Sequence, residues 1–150
     1  MIVAIGCDHA GVTLKDALLP ALDKLELSCE DVGTKDEESV DYPDFGAKAA
    51  EMVSSGKAER GILICGTGIG MSIVANKFPG IRAALCHDAD SARMSRLHND
   101  ANMLILPGRS LDNKTAFEIV RVWFQTDFEG GRHQRRLDKI KAIEDKMICR

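Results

Sequence analysis

The chain has 150 residues, 45% hydrophobic and 29% charged, with a formal net charge of −3; that is the size of one domain, able to bury roughly two thirds of the surface its unfolded chain exposes. The acidic balance argues against a generic nucleic-acid binder, which carries a net basic face, and no uncharged run approaches the roughly 18 residues of a membrane span. Met1 to Gly6 is cut short by Asp8 and His9 and does not read as a signal peptide, so a single cytoplasmic domain spanning residues 1–150 is expected.

Ile2 to Ile5 predicts a first strand, ending in Gly6-Cys7-Asp8-His9-Ala10-Gly11. Leu14, Leu18, Leu22 and Leu25 then recur at helical intervals. Ser28 to Val32 predicts a second strand, followed by a polar, acidic loop from Gly33 to Asp41. Tyr42-Pro43 opens a helix with Phe45, Ala49, Met52 and Val53 on its inner side, Pro43 suiting a first turn where its missing N–H is not needed. The β-branched run Ile62 to Ile64 predicts a buried strand that empties into Cys65-Gly66-Thr67-Gly68-Ile69-Gly70, then a helix stopping near Asn76, before the breaker Phe78-Pro79-Gly80.

A fourth strand is expected over Ile81 to Cys86, a helix over Ser91 to Leu97 giving way at His98-Asn99, and a fifth strand over Met103 to Leu106, ending at Pro107-Gly108-Arg109. Asp112 reads as the N-cap of a helix running to about Gln125. After Glu129-Gly130-Gly131 comes a charged helix whose inner stripe would carry Leu137, Ile140, Ile143 and Met147. Strands alternating with helices predict an α/β fold, a parallel sheet of about five strands covered on both faces.

The residues able to do chemistry follow these strands or sit in the loops: Asp8-His9, Cys65 to Gly70, His87-Asp88, His98-Asn99 and Arg109. Several of them are expected to converge on one edge of the sheet, where an open α/β fold keeps its ligand crevice. Alternating glycines let backbone approach a phosphate or an oxyanion. By themselves they mark a structural turn about as often as a ligand loop. A dinucleotide site fits poorly, because Met71 stands where Gly-x-Gly-x-x-Gly needs its third glycine, although Asp88 lies about where a ribose-binding acid belongs.

Five cysteines (Cys7, Cys29, Cys65, Cys86 and Cys149) are an odd number without CxxC spacing, which predicts reduced thiols. Most free cysteines are simply small buried hydrophobes. Cys65 differs in standing before a glycine loop and a helix, a setting that favours thiolate and hence a nucleophile or a proton-abstracting base. His9 and His98 are candidates for proton exchange near neutral pH. No HxH or HxxxH pair points to a metal. Arg132 and Arg136, four apart, share a helix face and can grip a phosphate, although solvated helix charges are the commoner outcome.

Taken together the motifs resemble those of the type B ribose-5-phosphate isomerases, in the family that also contains galactose-6-phosphate and allose-6-phosphate isomerases. The matching blocks are Gly6 to Gly11, Asp41-Tyr42-Pro43, Ile64 to Gly70, Ala75-Asn76-Lys77, Ile81-Arg82-Ala83, His98-Asn99-Asp100 and Gly131 to Arg136. The resemblance implies a Rossmann-like three-layer αβα sandwich and a metal-independent, cofactor-free aldose–ketose isomerase acting on a small sugar phosphate. It also implies a homodimer with sites shared between subunits, a homotetramer being the alternative. In that reading Cys65 moves a proton between C2 and C1 through an enediolate, Gly66, Gly68, Ile69 and Gly70 line the oxyanion, and Thr67 adds a hydroxyl. His98 opens the sugar ring; Asp8, His9 and Asn99 hold hydroxyls; Arg109, Arg132 and Arg136 bind phosphate; Tyr42 lines the site. One branch of the family lacks the cysteine and uses a glutamate at the position of Met71, so this chain looks like a cysteine user.

Overall fold

The computed structural model describes residues 1–148. Its elements alternate as expected: β1 (Ile2–Cys7), α1 (Val12–Lys24), β2 (Ser28–Asp31), α2 (Tyr42–Ser54), β3 (Arg60–Cys65), α3 (Ile69–Ala75), β4 (Ala83–Leu85), α4 (Ala89–Asn99), β5 (Met103–Pro107), α5 (Asn113–Gln125) and α6 (Arg132–Ile148). The five strands form one sheet in the order β2-β1-β3-β5-β4. Every pairing is parallel, with Ile5 beside Ile62, Ile62 beside Leu104 and Leu85 beside Ile105.

Parallel strands joined by helices must be covered on both faces, so the central ones are apolar almost throughout. Successive side chains on a strand point to opposite faces, and they feed two separate cores. Val3, Ile5, Ile62, Ile64, Leu104 and Leu106 pack with Leu14, Leu18 and Leu22 of α1 and with Ile119 and Trp123 of α5. On the other face Ala4, Leu63, Cys65, Met103 and Ile105 pack with Ala49, Ala50 and Val53 of α2 and with Met71 and Ala75 of α3. Pro43 falls in the first turn of α2, and the Asp112 carboxylate accepts the Thr115 N–H at 2.7 Å as the cap of α5, both as the sequence predicts.

Three elements differ from expectation. β4 is only Ala83–Leu85, because Ile81 and Arg82 are committed elsewhere: the Arg82 N–H donates to Asn102 Oδ1 and Ile81 is buried against the α2/α3 core. The Asn76 side chain donates to the Ser72 and Ala83 carbonyls and accepts the Ala83 N–H, stapling the end of α3 to the start of β4. Helix α4 begins earlier, at a capping box in which Asp88 accepts the Ser91 N–H at 2.7 Å. It also runs on to Asn99, stopping only where Asp100 turns left-handed at φ 43°, so His98 and Asn99 belong to its last turn and not to a loop. In α6, Leu137 is buried as expected, but Ile140, Ile143 and Met147 are 51%, 64% and 59% exposed. The stripe exists, yet this chain covers only its first member.

Candidate active site

Because all the strands run the same way, the segments that leave their carboxyl ends gather at one edge. From β1 come Asp8 and His9. The buried Asp8 donates its N–H to the Ile64 carbonyl at 3.2 Å, and its Oδ1 accepts the Ala10 N–H at 2.9 Å. His9 Nδ1 accepts the Val40 N–H at 3.2 Å, which in the neutral ring leaves the proton on Nε2, the tautomer being inferred from this bond. From β3 comes Cys65, the last residue of the strand, 4% exposed.

The turn after Cys65 is shaped by what touches its glycines. Gly68 has φ +77°, and a Cβ there would lie 2.4 Å from Leu85 Cδ1; its carbonyl accepts the Ser72 N–H to start α3. Tyr42, 39% exposed at the start of α2, lays its ring on Gly70, where a Cβ would come within 2.7 Å of ring carbons. Arg109 follows β5 and rests its guanidinium on Gly66, Nη1 being 2.8 Å from where a Cβ would stand. The two loops are zipped together: the Gly108 N–H donates to the Cys65 carbonyl at 2.8 Å and the Arg109 N–H to the Gly66 carbonyl at 3.1 Å. Thr67 Oγ1 accepts the Ile69 N–H at 3.3 Å. Beside them lies a cavity of about 330 Å³ lined by Thr67, Leu85, His87, Arg109 and Ser110 among others. His87 is one of the residues that the sequence places after a strand, with no role assigned to it; Ser110 carries no signal in the sequence.

Burial pushes Cys7 up to about 11, with Asp31 and Asp8 adding to the effect against Lys15, and its Sγ points to the Thr34 carbonyl at 3.7 Å. Burial also raises Cys29 and Cys86. Cys149 lies outside the described residues.

His98 and Asn99 are not at this edge, which corrects the expectation that they converge there with Cys65; Arg132 and Arg136, which the resemblance implies for a site shared between subunits, are not at it either. Helix α4 leaves the carboxyl end of β4 and travels back along the sheet, so its last turn lies where β5 begins. Arg82, just before β4, donates to the Asn99 and Asp100 carbonyls at 3.0 and 2.9 Å, fixing that turn at the amino edge. Helix α6 starts beside it, His133 stacking on His98. With β5 spanning five residues at roughly 3.3 Å each, the two groups stand about 15 Å apart within one protomer.

Among the described residues, His98, Glu129 and His133 form a group whose donor atoms all lie within 4.8 Å of one another. The two rings are nearly parallel, at 15°, and His133 Nε2 accepts an N–H from Arg132 Nε at 3.4 Å. Parallel rings do not aim their lone pairs at a common point, so this arrangement suits stacking better than chelation.

A parallel α/β domain with a thiol, a glycine turn and a guanidinium at the carboxyl edge of its sheet, and a second set of imidazole and guanidinium groups at the other, is equipped for proton transfer on a small phosphorylated substrate. The family model described as Ribose/Galactose Isomerase matches residues 3–140. The chain is 44% identical to ribose-5-phosphate isomerase B of Escherichia coli, over 96% of this chain and 97% of that one. It superposes with a TM-score of 0.95 on the Clostridium thermocellum ribose-5-phosphate isomerase B, at 52% identity over 98% and 99% of the two chains. The Mycoplasma genitalium ribose-5-phosphate isomerase B with bound ribulose-5-phosphate superposes at 0.92, with 38% identity over 96% of each chain. The chain belongs to the ribose/galactose isomerase family, in its type B ribose-5-phosphate isomerase branch, and is an aldose–ketose isomerase.

Proposed function

We propose that this chain, acting as one cytoplasmic domain, interconverts D-ribose 5-phosphate and D-ribulose 5-phosphate, a step of pentose phosphate metabolism. Cys65 removes the C2 proton of the open-chain aldose and returns it to C1, while N–H groups of the Gly66 to Gly70 turn and the Thr67 hydroxyl stabilise the enediolate oxygen. Before that, His98 opens the furanose, taking the anomeric hydroxyl proton and supplying one to the ring oxygen as the C1–O4 bond breaks. Asp8, His9 and Asn99 hold hydroxyls, Tyr42 closes one side, and Arg109, Arg132 and Arg136 take the phosphate through charge-assisted hydrogen bonds. No metal or other cofactor takes part in these steps.

The observation that carries this reading is the placement of Cys65 at the end of β3, where its carbonyl ties the Arg109 loop to the glycine turn. A complete site then requires a homodimer, in which the Cys65 edge of one protomer faces the amino edge of its partner. The uncovered Ile140, Ile143 and Met147 stripe on α6 supports such a contact. The test is turnover in deuterated water. Ribulose 5-phosphate is expected to acquire deuterium at C1, and Cys65→Ala to lose both isomerisation and exchange while keeping its circular dichroism. A fully active Cys65→Ala variant overturns the assignment of the base.

A further inference from the structure

The amino-edge cluster contains two side chains that the steps above do not use. His133, in the first turn of α6, is buried, with 4% of its side chain exposed, whereas His98 shows 37%. The two rings lie face to face, centroids 4.2 Å apart. Glu129 ties the segment before α6 to the end of α4, its N–H donating to the Leu97 carbonyl at 3.0 Å. Its carboxylate stands 3.4 Å from His133 Nε2 and 3.9 Å from His98 Nε2.

A side chain in the last turn of a helix has few neighbours to fix its rotamer, and an acid–base group displaced by about 1 Å can lose up to about 100-fold in rate. We propose that His133 is a positioning residue for His98, its buried ring forming the wall that fixes the plane in which His98 meets the sugar. This rests on the reading of His98 as the ring-opening group. The Arg132 Nε–H, donated to His133 Nε2 at 3.4 Å, holds the His133 ring in turn. Burial, with His98, Arg132 and Arg136 nearby, pushes the His133 pKa down against the pull of Glu129. That direction disfavours a second imidazolium stacked on His98.

Ring opening and proton transfer can be measured separately. Isomerisation of ribose 5-phosphate begins from the furanose, whereas deuterium exchange at C1 of ribulose 5-phosphate, followed by NMR, uses only the open chain and needs the same phosphate contacts. His133→Ala is expected to lower kcat for ribose 5-phosphate about tenfold and to change the exchange rate less than about twofold. His133→Phe, which keeps a flat ring but no nitrogen, is expected to recover most of the loss. Equal falls in isomerisation and exchange, or a His133→Phe variant no better than His133→Ala, overturn the proposal and assign His133 to holding Arg132 or the fold.

His98→Asn is the control. Its isomerisation is expected to fall much further than its exchange, and absence of that split removes the ring-opening reading itself. A normal split in His98→Asn with none in His133→Ala removes only the positioning role.

Discussion

Gly68→Ala tests how tightly the glycine turn is built. A methyl group at this position faces two separate penalties. The backbone stands at φ +77°, and the new Cβ would lie 2.4 Å from Leu85 Cδ1, with Leu106 and Pro107 backbone atoms at 3.4 Å behind. A left-handed conformation costs a non-glycine residue about 1–2 kcal/mol, and forcing an extra carbon into a packed site about 1–3 kcal/mol more. The sum is roughly 2–5 kcal/mol, or about 5–15 °C in Tm for a chain of this length.

The two parts separate in a double-mutant cycle. Leu85→Ala removes the obstructing methyl and by itself should cost about 2 kcal/mol for a partly buried leucine. Combined with Gly68→Ala it should relieve the steric part only, giving a coupling of about 1–3 kcal/mol. Urea unfolding followed by circular dichroism gives all four corners. A Gly68→Ala variant within about 0.5 kcal/mol of the parent, the ordinary range for unconstrained positions, would refute the account of the turn, as would strict additivity with Leu85→Ala.

Other outcomes follow from the same structure. Lys15, 1% exposed, donates to Asp31 and to the Thr34 carbonyl, both at 2.9 Å; Lys15→Met should lose about 1–3 kcal/mol in urea unfolding, less than for an isolated buried pair because Lys35 still reaches Asp31. Burial would raise the Asp31 pKa, but Lys15, Lys35 and the Gly33 N–H hold it below the usual carboxylate value. Its stabilising contribution is therefore present above about pH 3.9 and lost as pH falls through the lower folded value. Acid titration of stability should show a smaller loss in Lys15→Met than in the parent. Cys7, pushed up to about 11, stays protonated in the fold while the unfolded chain ionises near its ordinary value; stability should fall between about pH 8.5 and 11, and Cys7→Ala should flatten that limb. Ile143→Asp, on the uncovered stripe of α6, should convert the proposed dimer to monomer in light scattering and abolish isomerisation; an active monomer would exclude the shared-site reading.

Much of the fold could be read from the chain because the signals were local. The β-branched run before Cys65, the alternating glycines, Pro43 in a first turn and Asp112 as a cap each carry their own physical reason. The extent of β4 could not be read, since Ile81 is apolar enough for a strand and only tertiary contacts, its burial in the α2/α3 core and the Arg82 N–H bond to Asn102 Oδ1, shorten the ladder there. Periodicity showed that α6 has an apolar face and did not say what lies on it.

The location of His98 was legible in principle. Segments that follow strands lie at the carboxyl edge of a parallel sheet and segments that follow helices at the amino edge. His98 and Arg132 both follow helical runs. Reading His98-Asn99 as a loop of equal standing with Asp8-His9 and Cys65 conceals that direction, whereas Arg132 already reads as part of a helix.

The return path of α4 along the sheet has a consequence for mixtures. On the proposed dimer, a protomer lacking its thiol and a protomer lacking its imidazole are each inert with themselves, but a hybrid of the two pairs both defects at one crevice and leaves the other whole. Random exchange of inactive Cys65→Ala and His98→Asn chains should thus revive about a quarter of the parental turnover, the share of intact crevices when half the pairs are hybrids.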